Sequence, residues 1–376
     1  MMQKLEGEIY LVGGAVRDKI LDIPVTERDW LVVGSSIEAM LNAGFRQIDE
    51  RFPVFIHPET NEEYALARRE KKVGPGYKGF EFDCSKNVTL EEDLKRRDLT
   101  INAMAIDSSG NLVDIFNGLK DIESRKLRHI SESFGEDPLR IFRIARFASK
   151  LGKQNFRLAH STHKIMLSMI ENGVIEELTL SRINKEMNLA FESEYPWRFF
   201  EVLQSCNGLY ELLPGLSEKL TSGHTSSRDG ISIHALKAAC NSSKNMAIRF
   251  AALFLQISET TEDIVKALNP DKSKIEMLKN SREFLDAFTQ DTDAIQVFSV
   301  LKKYQIWHKE SQFSNIEKVI QSQPNLKNTY EKLQKIKKAI LAINAESLAD
   351  KDIKEDSLGR ELNNARFHAV KAIIED

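Results

Sequence analysis

The stretch Ile9-Tyr10-Leu11-Val12-Gly13-Gly14-Ala15-Val16-Arg17-Asp18 decides the fold of the N-terminal part of this chain. The apolar run over residues 9–12 predicts a buried strand, and the glycine pair lets the backbone approach a ligand closely. A helix with an early arginine is predicted to begin directly after the glycines, and such a strand, turn and helix can seat a phosphate group. Taken alone, a glycine pair after a strand is more often only a turn.

Two acidic residues follow this strand, turn and helix at a spacing that is compatible with metal binding. Glu27 and Asp29 stand at i and i+2 just before the apolar run Trp30-Leu31-Val32-Val33. If both lie in the strand, their carboxylates point to the same face, where they could hold a divalent metal together with substrate phosphates. The alternative is a solvated strand start with Arg28 as the partner. A phosphate-binding turn beside a metal site indicates nucleotidyl transfer.

Composition restricts the class of protein. The chain has 376 residues, of which 41% are hydrophobic, and it contains no uninterrupted apolar run of membrane-spanning length. The N-terminal residues lack the pattern of a secretory signal, and Cys84, Cys206 and Cys240 form no disulfide or zinc pattern, so a reducing cytoplasm is expected. The net charge of −3 argues against indiscriminate coating of nucleic acid, although a local basic surface can coexist with it.

The order of patterns predicts an α+β protein, with a mixed β-sheet and helices first and an all-α remainder. Short apolar runs and turns prevail to about residue 130, and helical periodicity prevails from Pro138 onward. We expect an N-terminal domain over residues 1–135 and two helical regions over 136–220 and 221–376. A loop-like break is expected near Pro214-Gly215.

Two polar segments are candidate nucleotide contacts. Residues 95–103, Lys95-Arg96-Arg97-Asp98-Leu99-Thr100-Ile101-Asn102-Ala103, place cations beside groups that can fix a ribose and phosphate, or that simply cap a helix. Asp137 is well placed as an N-cap, yet Arg140 is its neighbour on a helix. One fixed acceptor beside one forked donor could read the edge of a nucleobase.

One motif is misleading. Residues 74–79, Gly74-Pro75-Gly76-Tyr77-Lys78-Gly79, formally match G-x-G-x-x-G. The dinucleotide fingerprint requires a strand before it and a helix after it, whereas here the charged residues 68–72 precede it and the alternating Phe80-Glu81-Phe82 follows. We interpret it as a mobile loop beside the site, and a nicotinamide dehydrogenase is a poor interpretation.

The ordered set of motifs resembles one family. The chain is similar to the class II tRNA nucleotidyltransferases, the CCA-adding enzymes of the polymerase-β-like superfamily, in the enterobacterial-like type, over residues 9 to about 205. The segments that carry the resemblance are residues 10–18, 28–30, 52–55 (Phe52-Pro53-Val54-Phe55), 63–68, 93–103 and 136–140 (Glu136-Asp137-Pro138-Leu139-Arg140).

The resemblance implies a head, neck, body and tail, with ATP and CTP as substrates, Mg²⁺ as cofactor and tRNA as acceptor. It implies catalysis and metal binding by Glu27 and Asp29, with Glu63 as a further acid of less certain role. It implies a neck motif over residues 177–186 that supports the nucleotide pocket. It also implies nucleotide binding by Gly13, Gly14, Arg17, Arg96, Arg97, Asp98, Asn102, Asp137, Arg140, Arg143 and Arg146.

The chain departs from the family pattern in two places. Glu27 stands where an Asp is expected, and the longer side chain changes the geometry offered to Mg²⁺. The C-terminal half has no His-Asp doublet, so we expect a body without phosphohydrolase activity in which His234 is a relic of a metal ligand. The alternatives are a transferase that adds only CC, only A or poly(A), and a non-catalytic RNA-binding relative. The sequence leaves the oligomeric state open.

Overall fold

The computed structural model describes residues 5–49, 53–74, 79–221, 230–288, 293–307, 313–346 and 355–375. The chain forms two compact units, one from Met1–Ala190 with Arg198–Gly208 and one from Phe191–Trp197 with Leu209–Asp376. The expected α+β class is confirmed, since a mixed sheet with helices comes first and helices follow. The expected domain boundaries at residues 135 and 220 stay predictions.

A seven-stranded sheet organises the first unit, in the order β3-β4-β5-β2-β1-β8-β9. The strand β2 pairs antiparallel with β1 and parallel with β5, which makes the sheet mixed. The strands of this sheet are β1 (Glu8–Val12), β2 (Asp29–Val33), β3 (Arg46–Asp49), β4 (Val54–Ile56), β5 (Glu63–Leu66), β8 (Ala105–Ile106) and β9 (Leu112–Val113).

Both faces of this sheet are covered. Successive side chains of a strand point to opposite faces, and in β2 Leu31 packs with Val12 and Leu94, whereas Val32 packs with Met40 and Phe55 in a second cluster. The elements around the sheet are α1 (Gly14–Ile20), α2 (Ile37–Asn42), the hairpin β6 (Arg69–Lys72) and β7 (Phe80–Asp83), α3 (Leu90–Lys95), a 3₁₀ turn (Thr100–Asn102) and α4 (Gly118–Glu123).

Helices follow in the same unit. The arginine-bearing helix α5 begins at Leu139, and a parallel pair of two-residue strands flanks it in sequence. Its apolar side, including Ile141, Phe142 and Ala145, is buried, as the helical periodicity predicts. The elements are β10 (Lys126–Leu127), α5 (Leu139–Lys150), β11 (Arg157–Leu158), α6 (His160–Glu171), α7 (Leu180–Glu192) and α8 (Trp197–Ser205).

The second unit is helical in all of its described parts. Its central helix, Met246–Phe254, is buried from Ala247 to Phe254 and packs against the helices Ile231–Ser242 and Lys272–Asp286. The helices are α9 (Gly208–Leu212), α10 (Pro214–Thr221), α11 (Ile231–Ser242), α12 (Met246–Phe254), α13 (Thr261–Leu268), α14 (Lys272–Asp286), α15 (Ala294–Lys303), α16 (Phe313–Gln321), α17 (Lys327–Leu341) and α18 (Glu355–Glu375). No helix among the described residues is apolar over the length that a bilayer crossing requires.

The expected break near Pro214-Gly215 lies at Leu213, between the end of α9 at Leu212 and the start of α10 at Pro214. Proline suits the first turn of a helix, where its missing N–H would have no partner. Gly215 instead permits close packing: its N–H donates to Glu259 at 2.6 Å, and an added Cβ would lie 2.0 Å from the hydroxyl of Ser258.

Candidate active site

A cavity of about 640 Å³ opens in the first unit where β1, β2 and β5 meet the 3₁₀ turn and α5. Nine Arg and Lys side chains and six Asp and Glu side chains line it, counted over the described residues. The cavity is therefore strongly charged with an excess of cations, which suits a polyanionic ligand. Every site residue expected from the sequence lies on its wall, namely Gly13, Gly14, Arg17, Glu27, Asp29, Arg96, Arg97, Asp98, Asn102, Asp137, Arg140, Arg143 and Arg146.

The turn at Gly13 forms one wall of the cavity. Gly13 has φ of +73°, and an added Cβ would lie 3.1 Å from Nη1 of Arg97 and 3.8 Å from Oδ2 of Asp29. A side chain there would be strained by the backbone conformation and would also crowd two charged groups. The glycine therefore lets one cation and one carboxylate approach the same turn.

The acidic side of the cavity differs from the predicted arrangement, in which Glu27 and Asp29 share one strand. Strand β2 begins at Asp29, so Glu27 lies before the strand and does not share its pleat. The residue in register with Asp29 is Glu63, on the parallel neighbour β5. Partial burial and the charge of Glu27 raise the pKa of Asp29, while Arg97 acts in the opposite direction. Among the described residues no cluster of three His, Cys, Asp or Glu side chains could by itself hold a metal.

The floor of the cavity is a buried chain of hydrogen bonds. Arg17 is only 1% exposed, and it donates to Asp18 and, at 2.6 Å, to the side-chain oxygen of Asn102. Asn102 in turn donates to Asp98 at 3.0 Å, and Arg143 donates to the other oxygen of Asp98 at 2.8 Å. Each of these groups fixes the next, so the arginines keep their positions before a ligand arrives.

A second buried carboxylate, Asp93, orients two of the predicted nucleotide-binding arginines. One oxygen of Asp93 accepts from Arg96 at 2.6 Å and the other accepts from Arg97 at 3.1 Å. Burial favours the neutral form, but Arg96 and Arg97 outweigh it and lower the pKa of Asp93. This role of Asp93 was not predicted, although Arg96 and Arg97 stand at i+3 and i+4 from it, a spacing that brings side chains together on a helix.

Asp137 and Arg140 are held in place at the start of α5. The carboxylate of Asp137 accepts from the backbone N–H of Leu139 and, at 3.0 Å, from Arg182. Arg140 is 8% exposed and donates to the backbone carbonyls of Ser133, at 3.1 Å, and Arg96, at 2.8 Å. A guanidinium has five N–H donors, so Arg140 can still donate to a ligand while these two bonds hold it.

The helix α7 supports the arginines of α5. Glu186, which is 5% exposed, accepts from Arg146 and lies 3.8 Å from Arg143. Arg143 therefore lies between two acids, and the charge of Asp98 is the largest cause of its raised pKa. Lys150 at the end of α5 pairs with Asp18 at 3.0 Å, a contact that the sequence analysis did not anticipate.

The ionisation of Asp98 predicts a stability change in acid. Burial disfavours its charged form, but Arg143 and the hydrogen bond from Asn102 more than offset this and lower the pKa from 3.8 to about 2. The contribution to stability is present above the unfolded-state pKa and is lost as the pH falls from about 4 through about 2, on the order of 2 kcal/mol. Denaturant unfolding of the wild type and of Asp98→Asn between about pH 2 and pH 6 measures it. Equal pH dependence of the two proteins would contradict the assignment.

Residues 75–78 of the misleading glycine motif lie outside the described residues, so the mobile loop stays a prediction. The flanking segments are the strands β6 and β7 of an antiparallel hairpin, so no helix follows the motif. The dinucleotide fingerprint is therefore absent at residues 74–79, as expected.

Comparison with known proteins places this site in a class. Residues 9–128 match the family described as the poly A polymerase head domain. The first unit therefore contains a segment similar to this head domain, which supplies part of the cavity wall, and Asp137, α5 and α7 supply the rest.

Comparisons over longer stretches of the chain find the following relatives. The chain is 47% identical over 252 residues to the multifunctional CCA protein of Teredinibacter turnerae, covering 65% of this chain and 61% of that protein. Among solved structures, the CCA-adding enzyme of Bacillus stearothermophilus in complex with CTP aligns over 97% of this chain and 88% of its own, with a TM-score of 0.62 and 22% identity. A tRNA nucleotidyltransferase complexed with a primer tRNA and an ATP analogue aligns over 88% and 96%, with a TM-score of 0.61 and 24% identity.

The chain is therefore similar to poly A polymerase heads over residues 9–128 and to multifunctional CCA proteins over about two thirds of its own length, and its fold is that of solved CCA-adding enzymes. It spans less than two thirds of the length of the first curated relatives, 61% of one and 64% of the next.

Proposed function

We propose that this protein is a template-independent tRNA nucleotidyltransferase that adds CMP and AMP to the 3′ end of tRNA. The observation that carries the proposal is one cavity that joins the acidic edge at Asp29 to the fixed pair Asp137 and Arg140. The names of the relatives, multifunctional CCA protein and CCA-adding enzyme, support it. The complexes of structural neighbours with CTP and with tRNA and an ATP analogue support the same substrates.

The donor set at the acidic edge fits Mg²⁺. Asp29 and Glu27 both line the cavity, and the raised pKa of Asp29 reflects partial burial and repulsion by Glu27, a repulsion that a divalent cation would relieve. Mg²⁺ is commonly bound by one or two carboxylates together with substrate phosphates and water, so two acids suffice. Glu63, in register with Asp29 on β5, is a further carboxylate on the cavity wall. When bound, Mg²⁺ would activate the tRNA 3′ hydroxyl and neutralise charge on the departing pyrophosphate.

The arginines hold the triphosphate while the 3′ hydroxyl attacks the α-phosphorus of CTP or ATP in line. Arg17, Arg96 and Arg97 line the cavity, and Asn102, Asp18 and Asp93 restrict their rotation. Restricted side chains lose little conformational entropy on binding and place the phosphates in a fixed orientation. Asn102 and Asp98 line the same cavity and are the candidate contacts for the ribose.

Base selection follows from one acceptor and one donor. Cytosine and adenine each present an amino group next to a ring nitrogen that accepts, whereas uracil and guanine present the reverse pattern on that edge. The carboxylate of Asp137 can accept from the amino group, and the guanidinium of Arg140 can donate to the ring nitrogen. The protein itself therefore selects CTP and ATP without a nucleic-acid template.

One assay tests the proposal and its alternatives. The purified chain is incubated with Mg²⁺, labelled CTP or ATP, and tRNA transcripts that end before CCA or at CC, or a generic RNA, and the product ends are sequenced. We expect CCA on the first transcript, A on the second and little addition to generic RNA, with all incorporation lost in EDTA. Addition of CC or A alone, or of poly(A) to generic RNA, would identify a narrower or different transferase. Retained tRNA affinity without incorporation would identify a non-catalytic relative.

A further inference from the structure

A second concavity of about 420 Å³ lies in the first unit, away from the residues that line the active-site cavity. It is open to solvent, and its lining is dominated by basic side chains that no step of the proposed reaction uses. The charged and titratable residues of its wall are Lys126, Arg157, His160, His163, Arg198 and Glu201.

Two of these cations face each other across a strand pair. Lys126 on β10 is in register with Arg157 on the parallel strand β11, and neighbouring strands lie about 4.8 Å apart. Like charges directly opposite each other on a sheet are destabilising. Neither side chain has a carboxylate partner among the described residues. An anion between the two side chains would replace this repulsion with attraction.

The helix α6 begins at the same place. Its first residue, His160, lines the concavity, and its N-cap residue, Ala159, supplies no side-chain hydrogen bond to the first turn. The N–H groups of the first turn and the positive end of the helix dipole therefore add to the field of Lys126 and Arg157. His163, one turn later, is fixed by a 2.7 Å hydrogen bond between its ring and the carbonyl of Ser205.

The acid on the wall does not neutralise the concavity. Glu201 accepts from Arg198 at 3.0 Å, and Arg198 also donates to the carbonyl of Phe156 at 2.9 Å. These bonds fix the guanidinium beside the other cations. Two unpaired cations and a helix N-terminus remain for a ligand, and this combination is typical of phosphate sites.

We propose that this second basic concavity, centred on Lys126, Arg157 and the start of α6, binds a backbone phosphate of the acceptor RNA. The inference rests on the proposed tRNA function. An RNA backbone fits better than a small phosphate compound, because the site is open and no Phe, Tyr or Trp among the described residues lines it to enclose or stack a base. The contact positions the RNA and carries no sequence information.

The test compares two double variants of the full-length protein. Lys126→Gln with Arg157→Gln removes the facing cations, and Lys19→Gln with Lys120→Gln removes two exposed cations of the same unit that lie outside both cavities. Affinity for a tRNA transcript lacking CCA is measured between about 50 and 200 mM salt. We expect the first pair to lose affinity roughly tenfold and the slope of log K against log salt to become shallower by about 1, as for one lost phosphate contact. The second pair should match the wild type.

Each result has one meaning. Unchanged affinity of Lys126→Gln with Arg157→Gln, or an equal loss in the control pair, overturns the site while the proposed function stands. Absence of tRNA binding by the wild type overturns the proposed function itself. Titration with inorganic phosphate distinguishes an RNA phosphate from a small anion. If Lys126→Gln with Arg157→Gln abolishes strong phosphate binding but leaves tRNA affinity unchanged, the site binds a small anion and the proposed RNA contact is overturned. ATP affinity serves as the folding control for all variants.

Discussion

Replacing Asp29 with Asn is expected to lower nucleotide incorporation by at least about 10³-fold while tRNA and ATP affinity change little. Asp29 lies at the first position of β2, lines the cavity and stands beside Gly13, where the phosphates of a nucleotide are expected. An amide keeps the shape but loses the negative charge that would hold Mg²⁺ at the reacting groups, and a loss of about 4 kcal/mol of transition-state stabilisation corresponds to this factor. Single-turnover incorporation of labelled CTP measures it.

Two further variants serve as controls for this prediction. Asp22→Asn removes an exposed carboxylate outside the cavity, and because Asp22 has φ of +53°, a conformation that Asn tolerates, it should leave the rate unchanged. Glu27→Asp shortens the other acid and should keep incorporation within about tenfold of the wild type, since a carboxylate remains near the same place. Undiminished turnover by Asp29→Asn would show that Asp29 is not a metal ligand.

Replacing Arg140 with Ala is expected to reduce kcat/KM for CTP and ATP about 100-fold and to bring the preference over UTP and GTP within about tenfold. The guanidinium is the donor beside Asp137, and a good two-bond contact to a base edge contributes roughly 1–3 kcal/mol of discrimination. Competition between labelled nucleotides on a tRNA that lacks CCA measures the preference. An unchanged order of nucleotides would contradict the base-reading role.

Arg140→Ala also destabilises the protein, and this effect must be distinguished from the effect on nucleotide selection. Its loss leaves the buried carbonyls of Ser133 and Arg96 without their donors, at about 1–3 kcal/mol for each unsatisfied group. Arg249 offers a matched control, because it is 5% exposed, lies outside the cavity and donates to the carbonyls of Phe191, Ser193 and Ser243. Arg249→Ala should be destabilised to a similar degree and should keep the nucleotide preference.

Much of this architecture could be predicted because it depends on short-range patterns. The strand before Gly13, the helix α5 and the strand at residues 80–82 were confirmed as elements. The expected burial was confirmed for the apolar side of α5, whereas in the run over residues 9–12 only Val12 is buried. The exact start of β2 was not predictable, since it depends on pairing with β1 and β5 and places Glu27 outside the strand. The helix at Pro214 was missed because proline and glycine mark both breaks and helix starts.

The sequence patterns did not predict the contacts between site residues that are far apart in the chain. Nothing in the chain near Asn102 indicates that its amide accepts from Arg17, 85 residues earlier, or that Lys150 meets Asp18 across 132 residues. The motifs predicted which residues would share a cavity, and all of them line it. They could not predict which of those residues hydrogen-bond to one another. The individual roles in nucleotide binding stay predictions.

The buried series Arg17, Asn102, Asp98 and Arg143 has a consequence for sequence divergence. Because each member satisfies the hydrogen bonds of the next, a substitution at one position removes the reason for the residue at its neighbour. Double-mutant cycles between adjacent members should therefore give strongly non-additive free energies, whereas cycles between Arg17 and a distant surface residue should be additive. Relatives that change one member are therefore expected to change an adjoining one as well.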